Sequence, residues 1–107
     1  MSNPALTEAV YYILLSLLEP RHGYGIMQNA EQLSGGRVRL AAGTLYGALN
    51  TLLEKGWITA LPGAPDNRNK KEYCITPLGR AALEEELGRL EQLVENGKRI
   101  LGGNKHA

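Results

Sequence analysis

The sequence predicts a mainly α-helical protein with one small β-hairpin. Three observations carry this. Apolar residues recur at helical spacing in four separate stretches. Two short alternating runs, WITAL and EYCI, flank a loop-like segment, PGAPDNRNKK. Thr-Pro and Asn-Pro pairs stand where helices would open.

The elements follow in order. Asn3-Pro4 opens a first helix that runs to about Leu18, where Glu19-Pro20 ends it. Its apolar residues, Leu6, Val10, Ile13, Leu14, Leu17 and Leu18 with Tyr11 and Tyr12, cover most of its sides. A helix apolar on most sides is buried on most sides, so one face should meet its own domain and another a partner subunit. RHGYG reads as a turn, in which Tyr24 would pack or bond a phosphate, packing being favoured. A second helix then runs to about Ser34, carrying Ile26, Met27, Ala30 and Leu33, and Ser34-Gly35-Gly36 stops it. The alternation in RVRL predicts a short strand. A third helix spans about Ala42 to Lys55, with Leu45, Ala48, Leu49, Leu52 and Leu53 as its buried stripe and Gly56 as its C-terminal cap. A hairpin follows, from Trp57–Leu61 to EYCI. Thr76-Pro77 opens the last helix as N-cap and first residue. Leu83, Leu87, Leu90, Val94, Gly97 and Leu101 alternate spacings of four and three, a heptad seam. Glu84, Glu85, Glu86, Arg89, Glu91, Gln92 and Glu95 occupy its other sides.

Helix, helix, short strand, helix, hairpin, long helix is the order of a winged helix-turn-helix with an added helix. The expected division is 1–76 for the winged unit, 77–101 for a dimerisation helix and 102–107 for a frayed tail.

The totals fit a single soluble domain of 107 residues, 43% hydrophobic and 21% charged. No apolar run reaches the roughly 18 residues of a membrane span. No cleavable leader is evident, and Cys74 stands alone, so a reducing, cytoplasmic setting is expected. The net charge of +1 splits into +2 over residues 1–80 (eight Lys/Arg, six Asp/Glu) and −1 over 81–107 (four and five). Any nucleic-acid contact must therefore come from a local patch.

HGYGIM, GTLYGAL, EKGWI and YCITPLGR, in this order and spacing, resemble the PadR family of bacterial transcriptional regulators, from about Ala9 to about Leu87. The single last helix is similar to the family's shorter branch. The resemblance implies a homodimer that binds DNA through the winged helix, often represses, and in many members releases DNA on binding a small, often aromatic molecule. Two positions depart from the family's pattern. Ala41 stands where Ser commonly caps the third helix, and Gly47 where Pro is common.

The third helix is bare at its start. Ala42, Gly43 and Gly47 would let its backbone approach the major groove, with Thr44 and Asn50 at base edges or phosphates and the Tyr46 hydroxyl at a phosphate. A second reading makes the glycines sites of tight helix packing and Tyr46 a core residue. Asn67, Arg68, Asn69, Lys70 and Lys71 form the wing, suited to phosphates, though such a run also reads as a solvated turn. Arg37 and Arg39 flank the helix start and would clamp phosphates or simply face solvent.

Leu6, Val10 and Ile13 of the first helix, with Leu83, Leu87, Leu90, Val94 and Leu101, form the expected dimer interface. It would place two winged units about 34 Å apart on a near-palindromic operator. Val10, Tyr11, Tyr12, Leu87 and Leu90 would line a hydrophobic or aromatic effector site between subunits, or serve as plain core. No spacing suggests metal ligands, a cofactor or a nucleophile with its base, so no enzyme is expected; Cys74 reads as a small buried hydrophobe. The rival reading is a winged-helix module that binds protein instead of DNA.

Overall fold

The computed structural model describes residues 3–62 and 71–104. The elements are α1 (Glu8–Ser16), β1 (Arg21–His22), α2 (Gly23–Leu33), α3 (Ala42–Glu54), β2 (Ile58–Leu61), β3 (Glu72–Ile75) and α4 (Pro77–Asn104). The three strands form one antiparallel sheet in the order β1-β3-β2. The core joins Ile13, Leu14 and Leu17 of α1 to Ile26, Leu45, Leu49 and Leu52, and closes on Trp57, Ile58, Tyr73, Ala82 and Leu83.

The first helix is shorter than expected at both ends. The Thr7 side chain caps it by accepting the Val10 N–H at 3.1 Å. The segment before it is drawn along α4 instead: Asn3 N–H donates to Glu85 Oε1 at 2.9 Å and Leu6 N–H to Glu86 Oε2 at 3.3 Å. At its other end the Leu17 carbonyl accepts from Ile75 N–H of β3 at 2.7 Å. The sheet thus satisfies a carbonyl that another helical turn would have used.

The third strand of the sheet is not RVRL. It is Arg21–His22, paired with Tyr73 and Glu72. RHGYG is therefore no turn: His22 caps α2, its Nδ1 accepting the Gly25 N–H at 3.2 Å, and Gly23 and Tyr24 already lie in the helix. In RVRL, Val38 is buried. The two arginines beside it are drawn to carboxylates of different helices, Arg37 to Glu8 of α1 and Arg39 to Glu31 of α2. The segment packs against the helices through Val38 and joins no ladder.

The start of α4 is seated on the turn after α3. Thr76 Oγ1 accepts the Gly79 N–H at 3.1 Å and donates to the Gly56 carbonyl at 2.6 Å. Thr76 N–H donates to the Trp57 carbonyl at 2.9 Å. Gly56, at φ +74°, adopts the left-handed conformation that ends α3. A side chain at Gly79 would overlap the Trp57 carbonyl.

Glu86 is a correction to the outward face expected of it. It is 5% exposed and accepts two bonds from Arg89, at 2.8 and 2.6 Å, beside the one from Leu6 N–H. The Arg89 hydrogen bonds hold its carboxyl below the ordinary value near 4.5, against the opposing effect of burial. A carboxylate held low in the folded state favours folding above its unfolded value, and that contribution is lost as pH falls. Chemical denaturation between pH 7 and pH 3 should show this loss, and Glu86→Gln should flatten it. An equal slope in both proteins would remove Glu86 from the account.

Candidate nucleic-acid interface

The N-cap of α3, Ala41, supplies no side-chain bond, while its carbonyl accepts from Leu45 N–H at 2.9 Å. The helix is held instead by Leu45, Leu49 and Leu52, all buried. The opposite face is exposed and carries Gly43, Thr44, Tyr46, Gly47, Asn50, Thr51 and Glu54. At 3.6 residues per turn, Gly43 and Gly47 run along its middle, with Thr44 and Thr51 on one flank and Tyr46 and Asn50 on the other.

Among the described residues, nothing beyond the helix's own backbone and chain neighbours lies within 4 Å of a Cβ placed at Gly43 or Gly47. Tight packing against the described residues is thereby removed as their explanation. Each costs about 1 kcal/mol of helix stability against alanine, and no described side chain uses the space. Gly43→Ala and Gly47→Ala should therefore each raise stability, by about 0.5–1 kcal/mol in urea unfolding. A loss of stability would show that both surfaces are packed.

Tyr46 is 47% exposed and is no core residue. Its hydroxyl abuts Gly23, where a side chain would collide with it. This contact lays the Tyr46 ring across the start of α2 and brings the first turns of α2 and α3 together. Tyr24, beside Gly23, is 63% exposed, so the packing role expected of it fails. The sequence marks Tyr24 only by its place at a helix start. Burial pushes the Tyr73 phenol above its ordinary range, with a smaller push from Tyr46.

Arg37 Nε stands 2.8 Å from Glu8 Oε2, and Arg39 Nε 3.8 Å from Glu31 Oε2. Both arginines are largely exposed, and such surface pairs contribute little. Asn67, Arg68, Asn69 and Lys70 lie outside the described residues. Lys71, just before β3, is exposed.

The expected dimer residues divide. Ile13 and Leu83 are buried in the chain's own core, leaving no surface for a partner. Leu6, Val10 and Leu90 are half-buried. Leu87, Val94 and Leu101 are exposed, and Leu93 and Ile100 join them. A strict heptad reading misses these two because they lie one position off the seam. Tyr11 and Tyr12 meet edge to face at 5.8 Å. With Leu6, Leu90 and the Glu86–Arg89 pair they line a cavity of about 350 Å³ between α1 and α4. Val10 faces a different cavity, beside Ala48 and Trp57, and Leu87 a groove along α4. Within a single chain the five suggested effector residues therefore line separate cavities. Cys74 is half-buried rather than buried. No helix among the described residues is long and apolar enough to cross a membrane.

The family model for the transcriptional regulator PadR-like family matches residues 13–85. The chain belongs to the PadR-like family. The transcriptional regulator Rv3488 of Mycobacterium tuberculosis is 36% identical over 85 residues, 79% of this chain and 74% of that protein. An uncharacterized 37.1 kDa protein in transposon TN4556 of Streptomyces fradiae is 37% identical over 87 residues, 80% of this chain. This chain spans only 24% of that longer relative. A PadR family transcriptional regulator from Eggerthella lenta has the same fold, with a TM-score of 0.71 at 24% identity over 86% of this chain and 80% of its own. As a PadR-like chain this is a transcriptional regulator, not an enzyme.

Proposed function

We propose that this PadR-like regulator is a cytoplasmic homodimer that binds a near-palindromic DNA operator and represses transcription. In this reading α3 enters the major groove. The wing from Asn67 to Lys71 lies along the phosphates, Tyr46 and Arg39 bond phosphate oxygens, and α4 sets the spacing of the two units. A small aromatic ligand in the α1–α4 cavity, against Tyr11 and Tyr12, would release the DNA. One observation carries the reading: Gly43 and Gly47 give up helix stability on an exposed face where no described residue fills the space. A backbone that must come close to base edges accounts for that loss.

The test is fluorescence anisotropy of the purified protein on its own upstream DNA and on scrambled DNA of equal length, at two salt concentrations. A preference of about 1,000-fold or more for the upstream DNA is expected. Gly47→Ala should weaken that specific binding even though it stabilises the helix. Absence of binding to either DNA at low salt would favour a module that docks on protein.

A further inference from the structure

We propose that α3 reads A·T base pairs and makes no direct contact with guanine. This rests on the DNA reading above and narrows it to a class of operator. From Ala42 to Glu54 the helix contains no lysine or arginine. Those two residues make the commonest specific contact with DNA, to O6 and N7 of guanine. Cytosine is read through its N4 donor by Asp or Glu, and the helix has a carboxylate only at its last residue, Glu54. That residue is the last of the helix, one turn beyond Asn50 and Thr51.

The remaining exposed polar side chains suit A·T pairs. Asn50 offers a donor and an acceptor together, which matches N7 and N6 of adenine. The Thr51 hydroxyl is turned back on its own helix, donating to the Gly47 carbonyl at 3.2 Å. Its methyl is left as the outward group, suited to the C5-methyl of thymine. Thr44 lies on the same flank two turns earlier and brings a second methyl. Between the flanks Gly43 and Gly47 carry no side chain to hold these short groups off the bases. Thr44 and Thr51 are about 10 Å apart along the axis, the length of about three base-pair steps at 3.4 Å each. Each half-site should therefore contain three or four consecutive A·T pairs under α3.

The full chain is tested first by selection from a random duplex library. The selected site is then measured by anisotropy after single replacements of adenine by 7-deazaadenine, which lacks N7, and of thymine by uracil, which lacks the methyl. Half-sites with an A·T run are expected. One 7-deazaadenine should weaken binding about tenfold or more, and Asn50→Ala should abolish that penalty without changing the uracil penalty. A half-site whose guanines lose affinity on replacement by 7-deazaguanine would overturn the proposal while leaving the DNA reading intact. So would an A·T run insensitive to both replacements, because recognition would then be by shape. Enrichment of no sequence at all would overturn the DNA reading itself.

Discussion

Leu87→Glu together with Val94→Glu should leave a folded monomer that no longer recognises an operator. Both side chains are about half exposed in the single chain, at 46% and 55%, so neither is needed to fill its core. With Leu93, Ile100 and Leu101 they make an apolar stripe along the outer half of α4. Fully burying each such side chain contributes about 1.5–3 kcal/mol. About half of that remains to be gained on association, and a symmetric dimer loses each side chain twice, so the double replacement removes about 3 kcal/mol or more, over 100-fold in the dimer constant. Symmetry adds to the effect, since each new carboxylate faces the same surface of its partner. Sedimentation should show half the mass, circular dichroism a retained helix content, and anisotropy a loss of specific affinity of about 100-fold or more. A double variant that remains dimeric would move the interface off α4.

Gly79→Ala should have the largest effect on folding. The added carbon would overlap the Trp57 carbonyl, a backbone atom on an element fixed by the core. Overpacking against flexible side chains costs about 1–3 kcal/mol, and a backbone carbonyl yields less than a side chain does. A cost of about 3 kcal/mol or more is expected, lowering Tm by roughly 10–20 °C in a chain of this size. Gly88→Ala is the control, because nothing lies within 4 Å of that position. Its exposed helical site should gain about 0.5–1 kcal/mol. If both variants melt like the parent, α4 does not begin where it is drawn.

What could be read from sequence was local chemistry. Gly56 and the Thr76-Pro77 pair mark the end of α3 and the start of α4 because caps are made by the residues next to them. The buried stripe of α3 is legible for the same reason, since its leucines repeat within one helix. Arg21–His22 is not legible as a strand. Two residues show no alternation, and only pairing with Tyr73 and Glu72, some fifty positions away, makes them one. RVRL alternates without pairing, its arginines lying beside Glu8 and Glu31 of two helices and its Val38 buried. Glu86 looks like one more surface glutamate until the Leu6 amide and Arg89 close around it. At the site the residue types were legible, but whether Gly43 and Gly47 faced neighbours or open space was not. That distinction needed the positions of α1, α2 and the sheet.

The seating of α4 has a mechanical consequence. Thr76 and Gly79 lock the first turn of α4 to the turn that ends α3, so α3 and the long helix are joined as one body. At 28 residues α4 is about 42 Å long. In a dimer joined along its outer half, it is the arm of a calliper whose jaws are the two α3 helices. The joint sits about 20 Å or more from each jaw, so a few degrees of rotation there displace a jaw by one or two ångströms. That is a large fraction of the 3.4 Å step between base pairs. The gap between the jaws is then set at the hinge, without any change inside either winged unit.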